Sequence, residues 1–332
     1  MSGQRRLTIA RHLTADDIAA ALRADARDGL TSDPKGLPPK WFYDARGSEL
    51  FDEITRLEEY YPTEAERRAL QGAADEIVRL SGADTVMELG SGSSDKTRVL
   101  LDAFDAVGSL ERYVPFDVSA SALESAAQQL LERYPEIVIE GVIGDFDRHL
   151  EHLPAGSARG GRGRRLLAFL GGTVGNYPPV ERKQLLATMA DVLDPGETLL
   201  LGTDLVKDPD RIVAAYDDAR GVTAAFNRNV LTVLDRELAA DFDVDAFDHV
   251  ALWNDEDEWI EMRLRSRRAQ TVRIDALDLT VEFAAGEEIL TEISAKFRRE
   301  RIVGELDTAG FDLIGWFTDP AGDFALSLAR RR

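Results

Sequence analysis

The sequence has no cysteine among its 332 residues. This absence excludes disulfide bonds, a thiolate nucleophile and any metal or iron–sulfur site with cysteine ligands. The sequence also lacks an apolar run of about 18 residues, which a membrane helix needs. The N-terminal segment, MSGQRRLTIARHL, has no apolar core of the kind found in secretory signals. We therefore expect a cytoplasmic protein without a membrane partner.

Basic residues are outnumbered by acidic ones. Lys and Arg number 40 against 61 Asp and Glu, so the formal net charge is −21. A field of this sign repels phosphate backbones, so we expect no nucleic-acid partner. One basic run, residues 159–165, is interpreted as a surface loop before a strand. His149 and His152 are close in sequence, but no third ligand follows nearby, and we predict no metal site.

Short apolar runs alternate with amphipathic helices from residue 84 onward, which predicts an α/β fold with a doubly wound parallel sheet. The rhythm changes after residue 204, where a helical stretch at 211–240 is followed by several β-like runs. Earlier in the chain, Thr63 and Glu66 have the spacing of a capping box and predict the start of a helix. The predicted strands of the sheet cover residues 85–89, 113–116, 137–143, 166–170 and 198–201.

Two domains follow from this change of rhythm. We predict that residues 62–204 and 300–332 form a Rossmann-like domain that binds the cofactor. Residues 1–61 and 205–299 are predicted to form an inserted, discontinuous α+β domain that binds the substrate.

The ends of the first three strands carry residues that suit an adenosyl ligand. Ligands of open α/β sheets bind beyond the carboxyl ends of the strands. The first strand runs into Gly90–Gly92, but the third glycine of a dinucleotide fingerprint is replaced by Asp95, and no P-loop is present. Asp117 could accept hydrogen bonds from a ribose diol, and Asp145 with Phe146 offers an acceptor beside an aromatic face. Together these residues favour an adenosyl cofactor without a pyrophosphate over plain turns and helix caps.

Ten segments resemble the histidine Nα-methyltransferases of ergothioneine biosynthesis. They lie both in the predicted sheet and outside it, so the resemblance covers nearly the whole chain. The segments are ELGSGSSDKTR at 88–98, PFDV at 115–118, GDF at 144–146, FLGGTVGN at 169–176, GTDLVKD at 202–208, LPPKWFYD at 37–44, EYYPT at 59–63, YDD at 216–218 with AAFNRN at 224–229, and EEILTEISAKF at 287–297.

The resemblance implies a Rossmann-like methyltransferase that uses S-adenosylmethionine. It would trimethylate the α-amino group of L-histidine to trimethylhistidine (hercynine), the first step toward ergothioneine. The implied donor contacts are Gly90, Ser91, Gly92, Lys96, Asp117, Asp145 and Phe146.

The resemblance also implies a substrate site. Tyr43, Gly171 and Asn176 would form its catalytic part, with the first two at the α-amino end and Asn176 at the substrate carboxylate. The other implied substrate contacts are Tyr216 at the carboxylate, Tyr60, Glu292 and Ser294 at the imidazole, and Met262 lining the pocket.

Some of these roles have a physical basis in the residues themselves. If residues 289–297 form a strand, Glu292 and Ser294 point to one face, where a carboxylate and a hydroxyl could both bond an imidazole. Spacing alone favours a solvated Glu–Ser face, and only the family resemblance favours a binding role for the pair. Phe51 and Tyr43 are candidates for cation–π contact with a methylated ammonium. Gly172 departs from the family pattern, which has Ser there, without touching an assigned contact.

Other functions stay open at this point. A relative could methylate another aromatic amino acid such as tryptophan, although Met262 and Glu292 speak against this because indole offers one donor and no acceptor. The chain could also be a non-catalytic module that binds an adenosyl ligand. A nicotinamide dehydrogenase is disfavoured by the missing glycine fingerprint. We expect a monomer whose partner is a small-molecule substrate, L-histidine.

Overall fold

A computed structural model describes residues 6–92, 94, 96–156 and 163–332. Most of the basic run at 159–165, as well as Ser93 and Asp95 of the glycine-containing segment, lies outside the described residues. The helices and strands are β1 Leu7–Arg11, α1 Ala15–Thr31, β2 Lys35–Gly36, α2 Ala45–Ile54, α3 Pro62–Ser81, β3 Thr85–Leu89, α4 Thr97–Ala106, β4 Arg112–Asp117, α5 Ala120–Arg133, β5 Val138–Ile143, β6 Arg165–Phe169, α6 Pro179–Val192, β7 Thr198–Asp204, α7 Pro209–Tyr216, α8 Val222–Leu238, β8 Phe247–Asn254, β9 Trp259–Ser266, β10 Gln270–Ile274, β11 Leu279–Phe283, β12 Glu288–Ala295, α9 Arg299–Thr308, β13 Phe311–Thr318 and β14 Phe324–Arg331.

The chain forms two compact units. The first comprises Met1–Thr14, Glu64–Leu205 and Phe297–Arg332, and the second comprises Ala15–Thr63 and Val206–Lys296. The sequence analysis placed the N-terminal segment with the second part, whereas β1 pairs in parallel with β5 of the first unit. This strand is short and lacks a fully buried residue, so it gives no clear apolar pattern.

The first unit is built on a mostly parallel sheet. Among the described residues its strand order is β1-β5-β4-β3-β6-β7-β14-β13, with the last two strands antiparallel to their neighbours. The five central strands are β5, β4, β3, β6 and β7. When they are numbered from 1 to 5 in chain order, beginning with β3, their order across the sheet is 3-2-1-4-5, which is a doubly wound arrangement. Every residue of β3 and β6 is buried, as expected of strands covered on both faces. The predicted Rossmann-like α/β fold is confirmed.

In this topology the order of strands reverses at β3, where β4 lies on one side and β6 on the other. Ligands of doubly wound sheets bind at this switch point, beyond the carboxyl ends of the strands. The segments that follow β3, β4 and β6 are therefore the positions where a ligand of the first unit is expected.

The second unit is an α+β assembly. The described residues form a four-stranded sheet in the order β2-β12-β9-β8 and a separate hairpin of β10 with β11. Helix α8 packs apolar side chains such as Phe226, Val230 and Leu234 into a core shared with Leu264 and Ile289. The helical stretch predicted at 211–240 is two helices, α7 and α8. The backbone leaves the helical conformation at Asp217, with φ −143°, and Gly221, with a left-handed φ of 72°, precedes α8.

No helix within the described parts of the chain has both the length and the apolarity to cross a bilayer.

Candidate functional site

In the first unit, the turn after β3 presents its backbone to open space. Gly90 and Gly92 have φ of +68° and +48°, and a Cβ built on either would meet no heavy atom within 4 Å. The backbone N–H groups of Gly90 and Ser91 donate to the Phe116 carbonyl at 2.8 and 3.2 Å, which ties the turn to β4. The Ser91 hydroxyl is buried and has no partner among the described residues. The turn thus offers both space and an unused polar group.

Asp117, at the end of β4, holds its carboxylate beside this turn. One oxygen accepts a hydrogen bond from the Gly92 N–H at 2.8 Å, and the other accepts one from the Ser119 N–H at 2.8 Å. Burial raises the pKa of Asp117, and the backbone donors oppose that shift. A carboxylate oxygen has two acceptor positions, so the carboxylate can still accept from a ligand diol.

Asp145 and Phe146 follow β5. The Asp145 carboxylate accepts from the Asp147 N–H at 3.0 Å. The Phe146 ring contacts Phe169 edge to face, with 5.5 Å between the ring centroids. Asp145 and Phe146 were predicted as a hydrogen-bond acceptor beside an aromatic face. Contacts with other residues hold both side chains in place.

Glu66 is a residue of this region that the sequence analysis assigned to a helix cap. That assignment was wrong, because α3 already begins at Pro62, and Glu66 is 0% exposed. Its carboxylate accepts from the Gly171 N–H at 2.7 Å and pairs with the Lys96 ammonium. A Cβ on Gly202 would collide with the same carboxylate. Glu66 thus holds two of the predicted site residues in place.

Glu88 forms a second buried network below the turn. It is 4% exposed, and its two oxygens accept hydrogen bonds from the hydroxyls of Thr97 and Tyr113. The Tyr113 hydroxyl also lies 2.9 Å from the Ser94 hydroxyl. Burial raises the pKa of Glu88 to about 7 against the effect of these donors. Glu88 was not singled out from the sequence. Its position inside an apolar strand could have identified it, because a charged residue there is buried and needs partners.

Gly171 and Asn176 lie on the segment after β6. Thr173–Asn176 form a short 3-10 helix that begins after Gly172, which has a left-handed φ of 69°. This backbone explains why a glycine suits position 172, where the family pattern has Ser. The Tyr177 hydroxyl donates to Asp147 at 2.7 Å, which ties the end of this segment to the loop that carries Asp145.

In the second unit, phenols gather around Glu292. Tyr43 is 43% exposed, but desolvation of its hydroxyl, followed by the proximity of Glu292, Tyr60 and Tyr216, raises its pKa. The Tyr60 and Tyr216 rings lie 6.1 Å apart. Burial raises the pKa of Glu292 to about 7, opposed by the charge of Lys296. No described residue forms a hydrogen bond with the Glu292 carboxylate.

Ser294 lies on the same strand as Glu292, as predicted, and takes part in a buried triangle. The Tyr216 hydroxyl donates to Ser294 Oγ at 2.9 Å, and Lys296 Nζ donates to Ser294 Oγ and to the Tyr216 hydroxyl at 3.0 Å each. Lys296 is fully buried and was not singled out from the sequence. Its signal is the alternation of residues 292, 294 and 296, which would share a face of one extended strand.

Aromatic rings form the wall next to these polar groups. The Tyr43 ring lies 5.5 Å from Phe51 and 5.4 Å from Phe226, and Phe51 lies 6.3 Å from Tyr60. Phe226 was not predicted to belong to this site. Met262, which was predicted, is buried directly opposite Glu292 in the sheet.

The predicted residues thus fall into two groups. The seven predicted donor contacts lie in the first unit together with Gly171 and Asn176. The second unit holds Tyr43, Phe51, Tyr60, Tyr216, Met262, Glu292 and Ser294. No cluster of three or more His, Asp or Glu side chains that could hold a metal ion occurs in the described chain, and the absence of a metal site stays a prediction.

A model of the family described as histidine-specific, SAM-dependent methyltransferases matches residues 22–331. The chain belongs to this family. It is 59% identical over 325 residues to the histidine N-alpha-methyltransferase of Mycolicibacterium smegmatis, covering 98% of this chain and 99% of that protein. It is 56% identical over 326 residues to the enzyme of the same name from Mycobacterium tuberculosis, covering 98% and 100%. Ergothioneine biosynthesis protein 1 of Neurospora crassa is 34% identical over 200 residues, 60% of this chain and 22% of that protein.

Membership of the family confirms the resemblance stated from the sequence and makes the chain an enzyme that uses S-adenosylmethionine. The first unit fits this methyl donor. The open space at Gly90 and Gly92 admits a ligand close to the backbone, and the unpartnered Ser91 hydroxyl lies in that turn. Asp117 retains acceptor capacity for a ribose diol.

Proposed function

We propose that this enzyme transfers three methyl groups in succession to the α-amino group of L-histidine, giving trimethylhistidine (hercynine), the first step toward ergothioneine. The observation that carries the proposal is the Glu292 carboxylate, which is desolvated, has no hydrogen-bond partner among the described residues and shares β12 with Ser294. The family and the names of the mycobacterial and fungal relatives support it.

The pair of Glu292 and Ser294 complements a neutral imidazole, which has one donor and one acceptor nitrogen. A serine hydroxyl can accept two hydrogen bonds and donate one. Tyr216 and Lys296 already donate to Ser294 Oγ, so the Ser294 hydrogen is left to donate to a ligand. Glu292 accepts from the ring N–H and Ser294 donates to the other ring nitrogen.

The same pair discriminates against other amino acids. Indole has one N–H and no acceptor nitrogen, so tryptophan would leave the Ser294 hydrogen without an acceptor. A site that is built to hydrogen-bond a polar group rejects analogues without that group by about 10⁴-fold or more when the site's own groups become unpaired. Aliphatic side chains would leave the Glu292 carboxylate without a donor and the Ser294 hydrogen without an acceptor.

The remaining assignments concern the backbone end of histidine. The Asn176 amide and Tyr216 are assigned to its carboxylate, and Gly171 and Tyr43 to its amino group. The Tyr216 hydroxyl donates to Ser294 Oγ, so it bonds the carboxylate only if its hydrogen turns from Ser294 to the substrate, in which case Ser294 still accepts from Lys296. The ordinary pKa of a phenol is about 10, so the Tyr43 phenol is protonated at neutral pH. Its oxygen can accept a hydrogen bond from the amine and orient it, without acting as a phenolate base.

S-adenosylmethionine supplies an electrophilic methyl group on a sulfonium. The residues of the enzyme have to hold the amine lone pair about 3 Å from that carbon and in line with the sulfur. A desolvated pocket favours the neutral amine that the reaction needs. The faces of Phe51 and Tyr43 suit the permanent positive charge of the trimethylated product.

The experiment that tests the proposal is turnover with each of the standard amino acids, followed by mass spectrometry. Histidine should gain one, two and three methyl groups, and the other amino acids should gain none. Nα-acetylhistidine, which has a free ring and a blocked amine, should not react. Methylation of another amino acid in preference to histidine, or of Nα-acetylhistidine, would refute the proposal.

The proposal includes a monomer that acts in the cytoplasm on small molecules, without nucleic acid or membrane as partner. The net charge of −21 supports this choice of partner. Light scattering at micromolar concentration should give the mass of one chain, and a dimer would contradict that part of the proposal.

A further inference from the structure

An extra residue interrupts the pairing of β12 with β9. Leu290 lies opposite Arg263, and Glu292 lies opposite Met262, so two steps along β12 match a single step along β9. Thr291 is the residue in excess. This arrangement is a β-bulge, a feature that redirects side chains and is common next to active sites.

The bulge decides on which face of the sheet Glu292 lies. Side chains of a regular strand alternate, so Glu288, Leu290 and Glu292 would share one face. Glu288 forms ion pairs with Arg263 at 2.8 Å and Arg265 at 2.6 Å. A regular β12 would place Glu292 on this same arginine-bearing face.

Beyond the bulge the alternation is shifted by one residue. Glu292 is paired with Met262 and Ser294 with Ile260, and both of these partners on β9 are buried in the apolar core. The two glutamates of β12 therefore have opposite environments. Glu288 has arginine partners, whereas Glu292 is turned toward the core, where it is desolvated.

Three buried polar side chains hold the bulge. The Thr291 hydroxyl lies 2.7 Å from Asn227 Oδ1 and 2.9 Å from the Met262 carbonyl. Asn227, on α8, is 0% exposed. Its Nδ2 lies 3.1 Å from the Arg263 carbonyl, and because a carbonyl can only accept, this contact fixes which end of the Asn227 amide carries the hydrogens.

The orientation of Asn227 then fixes His249. Its Nδ1 lies 2.8 Å from Asn227 Nδ2 and must accept, while its Nε2 lies 2.8 Å from the Tyr216 carbonyl and must donate. Burial lowers the pKa of His249, which keeps the ring neutral. A continuous chain of hydrogen bonds thus runs from the Tyr216 backbone through His249 and Asn227 to the bulge at Thr291.

We propose that Thr291, Asn227 and His249 are positioning residues that set the amino-acid specificity of the enzyme. They act through Glu292 and Tyr216, whose side chains the bulge and the hydrogen-bond chain hold in place. This inference rests on the proposed function, because it assumes that Glu292 reads the imidazole.

The test is a pair of substitutions at the bulge. Thr291→Val keeps the branched shape and removes the hydroxyl, and Thr291→Ser keeps the hydroxyl. Thr291→Val should raise the KM for histidine about tenfold, with a similar loss of preference for histidine over other amino acids. The kcat and the Kd for S-adenosylmethionine should stay close to those of the wild type. Thr291→Ser, which keeps the hydroxyl, should have a KM for histidine close to that of the wild type.

Thr280→Val is the matched control, since Thr280 is an exposed residue of β11 in the same unit. It should leave KM and selectivity unchanged. A purely structural role for Thr291 would lower the melting temperature and leave the selectivity of the folded variant intact, and this outcome would overturn the inference. Failure of the wild type to methylate histidine would instead refute the proposed function.

A measurement on the wild type covers the case in which the Thr291 variants do not fold. Nitrogen-15 NMR of histidine-labelled enzyme, assigned with a His249→Gln variant, should show His249 protonated at Nε2 and unprotonated at Nδ1. An Nδ1–H tautomer or a charged ring at neutral pH would overturn the inference.

Discussion

Each unit of the enzyme contains a desolvated carboxyl group, and the two groups differ in their partners. Burial raises the pKa of Glu88, in the first unit, and of Glu292, in the second, to about 7 in both cases. Glu88 accepts hydrogen bonds from two buried hydroxyls, of Thr97 and Tyr113. Glu292 has no hydrogen-bond partner among the described residues, and the charge of Lys296 alone opposes its desolvation.

The comparison separates two uses of an acid whose pKa is raised, one in the buried Glu88 and one in the half-buried Glu292. A carboxyl group whose acceptors are filled stabilises its surroundings, here the turn that follows β3. A desolvated carboxyl group without partners costs stability until a ligand supplies a donor. The Glu88 carboxyl group is therefore satisfied within the protein, whereas Glu292 is complementary to a group that is not part of the protein.

The largest expected effect is on catalysis and comes from removing the Glu292 carboxyl group. At pH 8, where the Glu292 carboxyl group is ionised, Glu292→Ala should lower kcat/KM for histidine about 100-fold, because the hydrogen bond of a charged acceptor is worth about 1.5–3 kcal/mol. The Kd for S-adenosylmethionine, measured by calorimetry, should change less than twofold. Glu288→Gln is the control, since Glu288 lies on the same strand with arginine partners. Equal losses in the two variants would remove Glu292 from the site.

Stability should show the second largest effect. The folded protein holds a proton on Glu292 up to about pH 7, whereas an ordinary glutamate releases it near 4.5. The free energy of unfolding therefore falls as pH rises from 4.5 to 7, and Glu292→Gln removes this fall. At pH 8 and without substrate, the variant should be more stable than the wild type by roughly 1–3 kcal/mol, measured by urea unfolding. At pH 4 the difference should largely disappear.

Replacing Glu88 by glutamine tests whether the two carboxyl groups differ in their effect on stability. An amide can accept a hydrogen bond from one of the two hydroxyls and leaves the other without its acceptor, at a cost of about 1–3 kcal/mol. Glu88→Gln should therefore gain less stability at pH 8 than Glu292→Gln. An equal gain at both positions would mean that the hydroxyl partners of Glu88 contribute nothing.

A smaller effect is expected from Glu66, whose carboxylate also has filled acceptors. Glu66→Gln keeps its shape but cannot balance the charge of Lys96, which is assigned to the methyl donor. The Kd for S-adenosylmethionine should rise about tenfold, with little change in the KM for histidine. Glu64→Gln, at an exposed position of the same helix that pairs with Arg68, should bind the donor like the wild type. Unchanged donor binding in Glu66→Gln would contradict its anchoring role.

The sequence predicted features that depend on neighbouring residues and missed those that depend on distant ones. The apolar run at Thr85–Leu89 gave the strand with its observed bounds, because a fully buried strand has a distinct composition. Glu66 was assigned to a local cap, since its partners Lys96 and Gly171 are far along the chain. The bulge at Thr291 was missed because the extra residue is defined only against β9.

The smallest expected effect concerns the aromatic rings near Glu292. Phe51 lies 5.5 Å from Tyr43 and 5.9 Å from Phe226, and its face is proposed to attract the methylated ammonium. Phe51→Leu keeps an apolar side chain and removes the ring, and a cation–π contact is worth about 0.5–1 kcal/mol. The third methylation should therefore slow about two- to fivefold relative to the first, so that mono- and dimethylhistidine accumulate in a time course followed by mass spectrometry.

Phe283→Leu is the control for this last comparison, because Phe283 belongs to a separate aromatic cluster with Phe242 and Phe247 in the same unit. It should lower stability and leave the ratio of the three products unchanged. If Phe51→Leu slowed all three methylations equally, the ring would serve the shape of the pocket. Selective slowing of the later steps would instead mean that this aromatic wall, unlike Glu292, contacts the ammonium as its methyl groups are added.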